Sequence, residues 1–148
     1  MKTEEIIKLY NEYVMPTYIK TPLILIKGIG ARVWDLNGKE YLDFFPGWAV
    51  SGIGHCHPEV VRALTRQLSK IVHVSNNFYN ELQGELARTI SKNSFDGKVF
   101  FANSGAEANE AVIKLSRLYG KQSRFEIISA ENSFHGRTLA TLTLTGQK

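Results

Sequence analysis

Cysteine is nearly absent from this sequence, since Cys56 is the only one among 148 residues. An internal disulfide framework is therefore excluded, which favours a reducing compartment. Long apolar runs are missing too, and none approaches the roughly 20 residues that a membrane-spanning helix needs. The opening residues are amphipathic and acidic, unlike a secretory signal or a transit peptide. We therefore expect a cytoplasmic protein that is not bound to a membrane.

A concentrated positive charge is also lacking. The 18 Lys and Arg residues against 14 Asp and Glu residues give a net charge of +4, with no basic tract of the kind that binds nucleic acid. There is no Walker phosphate loop, no Rossmann glycine fingerprint and no serine elbow. His55, Cys56 and His57 lack further ligands nearby and make a weak zinc site, so we expect no metal. Lys27 in "KGIG" is better explained by a β-turn than by a reactive lysine.

The chain changes character near residue 55. Before it, residues 4–14 have the spacing of an amphipathic helix. Two strands joined by a turn at 27–30, and a third after a turn at 37–38, form a predicted β-meander. After it, helices begin at Pro58 and after the "VSNNFYNE" segment. We therefore predict an N-terminal helix and meander over 1–54 and the start of a larger α/β domain over 55–148.

Two apolar runs of strand length flank a predicted helix in the second part. They are "KVFFA" at 98–102 and "RFEIIS" at 124–129. Strand, helix and strand within about thirty residues are typical of a βαβ unit with parallel strands. The fold class is therefore α/β, with the two carboxyl ends of these strands at one edge of the sheet.

The junction between the first run and the helix consists of small residues. In "SGAE", Ser104 can accept from the amide of Glu107, and Glu107 can reach back to the amide of Ser104, as in a capping box. Gly105 has no Cβ to keep another group away from the backbone. With Ala106, it would present free N–H groups at the positive end of the helix dipole, which suits a phosphate. A well-capped helix without a ligand stays open as the alternative.

The loop after the second run brings three chemical groups to the same edge. Phe134, His135 and Arg137 follow one another within four residues, with Gly136 allowing the backbone to turn. A ring can stack on a ligand, and a guanidinium can hold a carboxylate through two parallel hydrogen bonds. Phe134 could instead cover the core, His135 could be structural, and Arg137 could pair with Glu131.

These motifs resemble the N-terminal part of the class III aminotransferases, which have the type I pyridoxal-phosphate fold. The likeness extends over the whole chain and is closest to the acetylornithine branch. The segments that carry it are "EYVMPTY", "GARVWDLNGKEYLDF", "GIGHCHPEVVRAL", "HVSNNFYNELQGELA", "FFANSGAEANEAVIKLSR" and "ENSFHGRTLATLTLTGQ".

The resemblance implies a cofactor, substrates and site residues. Ser104, Gly105 and Ala106 would bind the phosphate of pyridoxal 5'-phosphate, Phe134 would stack on its ring, and Arg137 would hold the substrate α-carboxylate. The implied reaction transfers an amino group between N-acetylornithine and 2-oxoglutarate, small-molecule substrates of arginine biosynthesis. The implied assembly is a homodimer.

One departure separates this chain from the family pattern. The Schiff-base lysine and the acid at the pyridine nitrogen follow the "FHGR" loop at a distance in the family, and no lysine here occupies that position. We therefore expect an N-terminal fragment that is inactive alone. The alternatives are an ornithine or 4-aminobutyrate aminotransferase of the same class, or a non-catalytic anion-binding module or half of a split enzyme.

Overall fold

The computed structural model describes residues 1–121 and 123–147. Five helices and three strands follow one another along the chain: α1 Thr3–Tyr13, β1 Leu25–Ile29, β2 Arg32–Asp35, β3 Glu40–Leu42, α2 Pro58–Leu68, α3 Glu81–Lys92, α4 Gly105–Gly120 and α5 Leu139–Leu144. The contacts divide the chain into two compact units, Met1–Asn77 and Phe78–Lys148. The domain boundary that the sequence predicts between residues 54 and 55 refers to the two domains of the full-length protein, and it stays a prediction.

The first unit contains the predicted meander. Strands β1, β2 and β3 form an antiparallel sheet in that order. The predicted turn at 27–30 is wrong by three residues, because β1 continues to Ile29 and the chain turns at Gly30 and Ala31. Gly30 has a φ of +57°, a conformation that glycine adopts without steric cost. The turn at 37–38 is confirmed, and α2 begins at Pro58 as predicted.

Asp35 holds the second turn of the meander together. Its side chain is only 5% exposed and accepts hydrogen bonds from the amides of Asn37 and Lys39 and from the hydroxyl of Tyr41. Burial by itself raises the pKa of Asp35, but the bond from Tyr41, the two amides and the charge of Lys39 together lower it below its ordinary 3.8. The carboxylate therefore replaces the partners that the backbone of a tight turn cannot provide for itself.

The "GHCHP" segment has a structural role in this unit. His55 forms a backbone bridge with Gly30, with both N···O distances at 2.8 Å. The Nε2 atom of His55 lies 2.6 Å from Oδ2 of Asp43, and this hydrogen bond lowers the pKa of the carboxyl group. The pair closes the glycine-rich loop between them onto the meander. In the described ranges, no group of three or more His, Cys, Asp or Glu residues is placed to hold a metal ion.

The second unit is helical in its described part. Helix α3 begins after Asn80, whose side chain accepts from the amide of Gln83, and α4 packs against the short α5. The strands predicted at 98–102 and 124–129 are not formed, since no strand of the described chain pairs with either segment. An apolar run specifies side chains that seek burial, but a strand also needs a neighbour to receive its backbone hydrogen bonds.

Few apolar side chains are covered within the described residues. Val33 is the only hydrophobic side chain there that is buried. The apolar stripes of α2, α3 and α4 are exposed, including Leu64, Leu68, Leu82, Leu86, Val112 and Leu115. Faces of this kind are covered by further protein in a stable globular structure. None of the described helices has the length and apolar content that a membrane span requires.

We predict that the contribution of Asp35 to stability depends on pH. A carboxyl group whose pKa is lowered by folding stabilises the protein above its unfolded pKa, and this stabilisation is lost as the pH falls through the lower folded pKa. Asp35→Asn should therefore reduce the melting temperature at pH 7, and its difference from wild type should shrink below pH 3.8. Thermal melts of both proteins between pH 7 and pH 2 measure this.

Glu12→Gln is the control, because it removes an exposed carboxylate from α1. The difference between wild type and this variant should stay small throughout. A difference between wild type and Asp35→Asn that is unchanged down to pH 2 would contradict the assignment.

Candidate functional site

The N-terminus of α4 is capped by its own side chains. Ser104 has an extended backbone, and its Oγ accepts from the amide of Glu107 at 3.2 Å, as predicted. The return bond differs from the prediction. Glu107 Oε2 accepts from the amide of Asn103 at 2.7 Å, one residue before Ser104. The carboxylate also lies 3.4 Å from the side-chain amide of Asn103, so both donors of Asn103 point to the same group.

Two amides of the first turn have no protein acceptor among the described residues. The amides of Glu107 and Ala108 are used by Ser104, through its Oγ and its carbonyl oxygen. The amides of Gly105 and Ala106 donate to no protein acceptor in the part of the chain that the structure describes. Apart from its chain neighbours and the nearby backbone of its own helix, no protein atom of the described residues lies within 4 Å of the position of a Cβ at Gly105. The positive end of α4 therefore presents two amide donors, from residues that both line the cleft described below.

The loop that follows residue 132 packs directly on this helix end. A Cβ on Gly136 would lie 2.7 Å from the Cβ of Ala106 and 2.7 Å from Oγ1 of Thr141. Gly136 also has a φ of +132°, which L side chains rarely adopt. Only glycine satisfies both conditions, so this residue sets the distance between the loop and α4.

The side chains of Thr141 and Thr145 form hydrogen bonds with the backbone of this loop. Thr141 is completely buried, and its Oγ1 lies 3.1 Å from the amide of Thr138. The Oγ1 of Thr145 accepts from the amide of His135 at 3.1 Å and lies 3.1 Å from the carbonyl oxygen of Gly136. The backbone on both sides of Gly136 is therefore tied to α5 and the residue after it.

Phe134 and Arg137 lie on the open side of the loop. The guanidinium of Arg137 lies 5.2 Å from the centre of the Phe134 ring, within the range of a cation–π contact. Phe134 is 52% exposed, so it does not cover the core of this unit. His135 is fixed through both of its backbone groups, which agrees with the structural alternative for this residue.

All the residues predicted from the sequence meet at one cleft of about 370 Å³. It is lined by Ser104, Gly105, Ala106, Asn109, Phe134, His135, Gly136 and Arg137. The guanidinium of Arg137 and the N-terminal end of the α4 dipole both contribute positive charge, and no carboxylate is among these lining residues. The cleft therefore suits an anionic ligand. The roles of the individual residues in binding stay predictions.

Sequence reasoning missed Asn109 and Glu110. Asn109 Nδ2 donates to the carbonyl oxygen of His135 at 2.7 Å. Glu110 Oε1 accepts from the hydroxyl of Thr138 at 2.5 Å and from the amide of Ala140 at 3.2 Å. The bond from Thr138 is the main reason that the pKa of Glu110 is lowered, against the opposing effect of burial. Partners 26 to 30 residues away leave no local pattern that could have revealed these contacts.

Comparisons with known proteins give the family. The profile described as "Aminotransferase class-III" matches residues 13–148. An acetylornithine aminotransferase from Caldanaerobacter subterraneus subsp. tengcongensis is 56% identical over 142 residues, which are 93% of this chain and 36% of that protein. The chain therefore spans about a third of the length of the curated relatives it matches.

Solved structures give the same result for the fold. The ornithine aminotransferase of Toxoplasma gondii ME49 superposes with a TM-score of 0.84 at 33% identity, covering 95% of this chain and 35% of that one. The taurine:2-oxoglutarate aminotransferase of Bifidobacterium kashiwanohense, in complex with PLP and glutamate, gives 0.88 at 30% identity over 99% and 34%. The predicted fold class, the N-terminal portion of this α/β fold, is confirmed. The chain belongs to the class III aminotransferase family.

Proposed function

We propose that the cleft at the N-terminus of α4 holds the phosphate of pyridoxal 5'-phosphate. The full-length protein would transfer the amino group of N-acetylornithine to 2-oxoglutarate, in arginine biosynthesis. One observation carries the proposal: the two unused amides of Gly105 and Ala106 open into the cleft that Phe134 and Arg137 line. The acetylornithine aminotransferase from Caldanaerobacter, at 56% identity, supports this choice of amino donor.

The residues present fit the phosphate end of this cofactor. A phosphate monoester needs several donors, little steric obstruction and positive potential. Gly105 and Ala106 offer the amides, and Gly105 has no Cβ that could obstruct a ligand. Ser104 also lines the cleft, with its hydroxyl 3.4 Å from Oε2 of Glu107. When bound, the cofactor supplies an electron-withdrawing pyridine ring that lowers the barrier to proton removal at the amino-acid Cα.

The loop residues orient what the helix end binds. The ring of Phe134 is exposed on the cleft side and would stack on the pyridine ring, which excludes water from that face. Arg137 would hold the α-carboxylate of the amino acid through its two-pronged guanidinium, which fixes the direction in which Cα points. Both the amino donor and 2-oxoglutarate carry such a carboxylate, so one arginine serves both halves of the reaction.

The covalent anchor of the cofactor would lie outside this chain. Among the described residues that line the cleft, none is a lysine and none is an acid that could pair with the pyridine nitrogen. We propose that both groups come from other parts of the full-length protein. The exposed apolar stripes of the helices support this, because they require further protein to cover them.

The remaining assignments follow the same proposal. The substrates are a small amino acid and a 2-oxo acid, the full-length protein is a homodimer, and it works in the cytoplasm, in keeping with the single cysteine among these 148 residues. Ornithine is the alternative amino donor, since the ornithine aminotransferase of Toxoplasma gondii superposes at a TM-score of 0.84. A comparison of kcat/KM for N-acetylornithine and ornithine with the full-length protein decides between them.

We predict that Gly105→Ala weakens cofactor binding without disturbing the fold. Beyond its chain neighbours and its own helix backbone, the added Cβ meets no protein atom of the described residues. We expect the methyl group to hinder the approach of the phosphate to the amides. The dissociation constant for pyridoxamine 5'-phosphate, measured by calorimetry on the cofactor-free full-length protein, should rise roughly tenfold.

Two further variants serve as comparisons. Gly84→Ala places the same methyl group in α3, also with no atom nearby, and should leave the affinity unchanged. Gly136→Ala should weaken binding and also destabilise the loop, because its Cβ collides with Ala106. Equal affinities for wild type and Gly105→Ala would show that the phosphate does not bind at this helix end.

We predict a different effect for Arg137→Ala. Loss of a charge-assisted hydrogen bond to a carboxylate costs about 1.5–3 kcal/mol, so kcat/KM for both substrates of the full-length protein should fall roughly 10- to 100-fold. Arg137→Lys keeps the charge but not the paired geometry, and should lie between the alanine variant and wild type. Unchanged kcat/KM in the alanine variant would remove Arg137 from the substrate site.

We also predict that the 148 residues alone have no transaminase activity, since none of the described residues that line the cleft is a lysine. Coupled assays of 2-oxoglutarate consumption with N-acetylornithine measure this. Turnover by the chain alone that disappears in Arg137→Ala would overturn the prediction.

A further inference from the structure

Asn109 and Glu110 lie side by side on α4, one turn after the helix end that faces the cleft. Both residues are half-buried. Their side chains form hydrogen bonds with the loop that follows residue 132 rather than with α4 itself. Their bonds bracket the loop. Asn109 reaches the carbonyl oxygen of His135 and Glu110 reaches the hydroxyl of Thr138, so Gly136 and Arg137 lie between the two attachment points.

We propose, resting on the function proposed above, that Asn109 and Glu110 are positioning residues for Arg137. The two side chains form hydrogen bonds of opposite direction with the loop. Asn109 donates to a carbonyl oxygen, and Glu110 accepts from a hydroxyl and an amide at once. The two side chains thus fix the loop relative to the same helix that presents the amides of Gly105 and Ala106.

A single helix therefore carries both halves of the site. The distance between the bound phosphate and the substrate carboxylate is set by the spacing along α4 between its first turn and residues 109–110. Gly136 sets how closely the loop approaches, through its contact with Ala106. Asn109 and Glu110 set where along the helix it lies. A displacement of about 1 Å at a substrate-orienting group is enough to cost up to about a hundredfold in rate.

Ionisation of Glu110 suits this task. The hydroxyl of Thr138 and the amide of Ala140 both donate to one oxygen, and a carboxylate accepts such bonds more strongly than a neutral amide does. The charge of Lys114 also favours the ionised form. Glu110→Gln keeps the shape of the side chain but removes the charge, and Asn109→Asp keeps the shape but cannot donate to His135. Both variants test the bonds without changing the packing.

The first test is a double-mutant cycle on the full-length protein with N-acetylornithine and 2-oxoglutarate. Glu110→Gln alone should lower kcat/KM about tenfold. In the Arg137→Ala background the same change should cost less than about twofold, because the residue it positions is gone. Asn109→Asp should behave in the same way. Glu85→Gln, on α3, is the matched control and should have no effect in either background.

The second test needs no cofactor or activity. Hydrogen exchange of residues 134–138 in the cofactor-free protein should be roughly tenfold faster in Glu110→Gln than in wild type or Glu85→Gln. If Glu110→Gln does not fold, Thr138→Val and Thr138→Ser replace it. The valine variant removes the hydroxyl and should increase exchange, whereas the serine variant keeps the hydroxyl and should not.

The outcomes are separable. An equal loss from Glu110→Gln with and without Arg137 would mean that Glu110 acts only on general stability, and would overturn the proposal. So would unchanged exchange in the loop together with unchanged kcat/KM. If wild type itself shows no transamination, the proposed function fails, and the exchange measurement still decides whether Asn109 and Glu110 hold the loop.

Discussion

The contact between Gly136 and Ala106 is the constraint on which the rest of the site depends. Here a loop and a helix end that are thirty residues apart in the chain approach each other closely. A Cβ added to Gly136 would lie only 2.7 Å from the Cβ of Ala106. The φ of +132° at Gly136 turns the loop so that its neighbours face the cleft. Phe134 and Arg137 can stand opposite the free amides of α4 only because nothing larger than a hydrogen atom separates the two segments.

Polar contacts then fix what this approach allows. Thr141 and Thr145 hold the loop from one side, and Asn109 and Glu110 hold it from α4. None of these residues is needed to touch a ligand for the arrangement to work. The division of labour is typical of binding sites, in which a few groups contact the ligand and a supporting layer determines their position.

The residues singled out from the sequence line one cleft, whereas the surrounding architecture differs from the prediction. Ser104, Gly105 and Ala106 could be singled out because helix capping is local, and Phe134 and Arg137 because their loop follows a recognisable motif, while their roles in binding stay predictions. The strands at 98–102 and 124–129 were predicted wrongly, since pairing depends on a partner that an apolar run does not specify. The amide that donates to the Glu107 carboxylate was predicted to be that of Ser104, but it is the amide of Asn103. Asn109 and Glu110 were invisible, because their partners are distant in the chain.

The proposed function depends above all on the binding of a phosphate group by the first-turn amides of α4. Residue-resolved hydrogen exchange of Gly105 and Ala106 in the full-length protein tests it most directly, with pyridoxamine 5'-phosphate compared against pyridoxamine, which lacks the phosphate. We expect both amides to exchange more slowly with the phosphorylated compound and at an unchanged rate with the other. Equal exchange rates with the two compounds would show that the first-turn amides do not bind the phosphate.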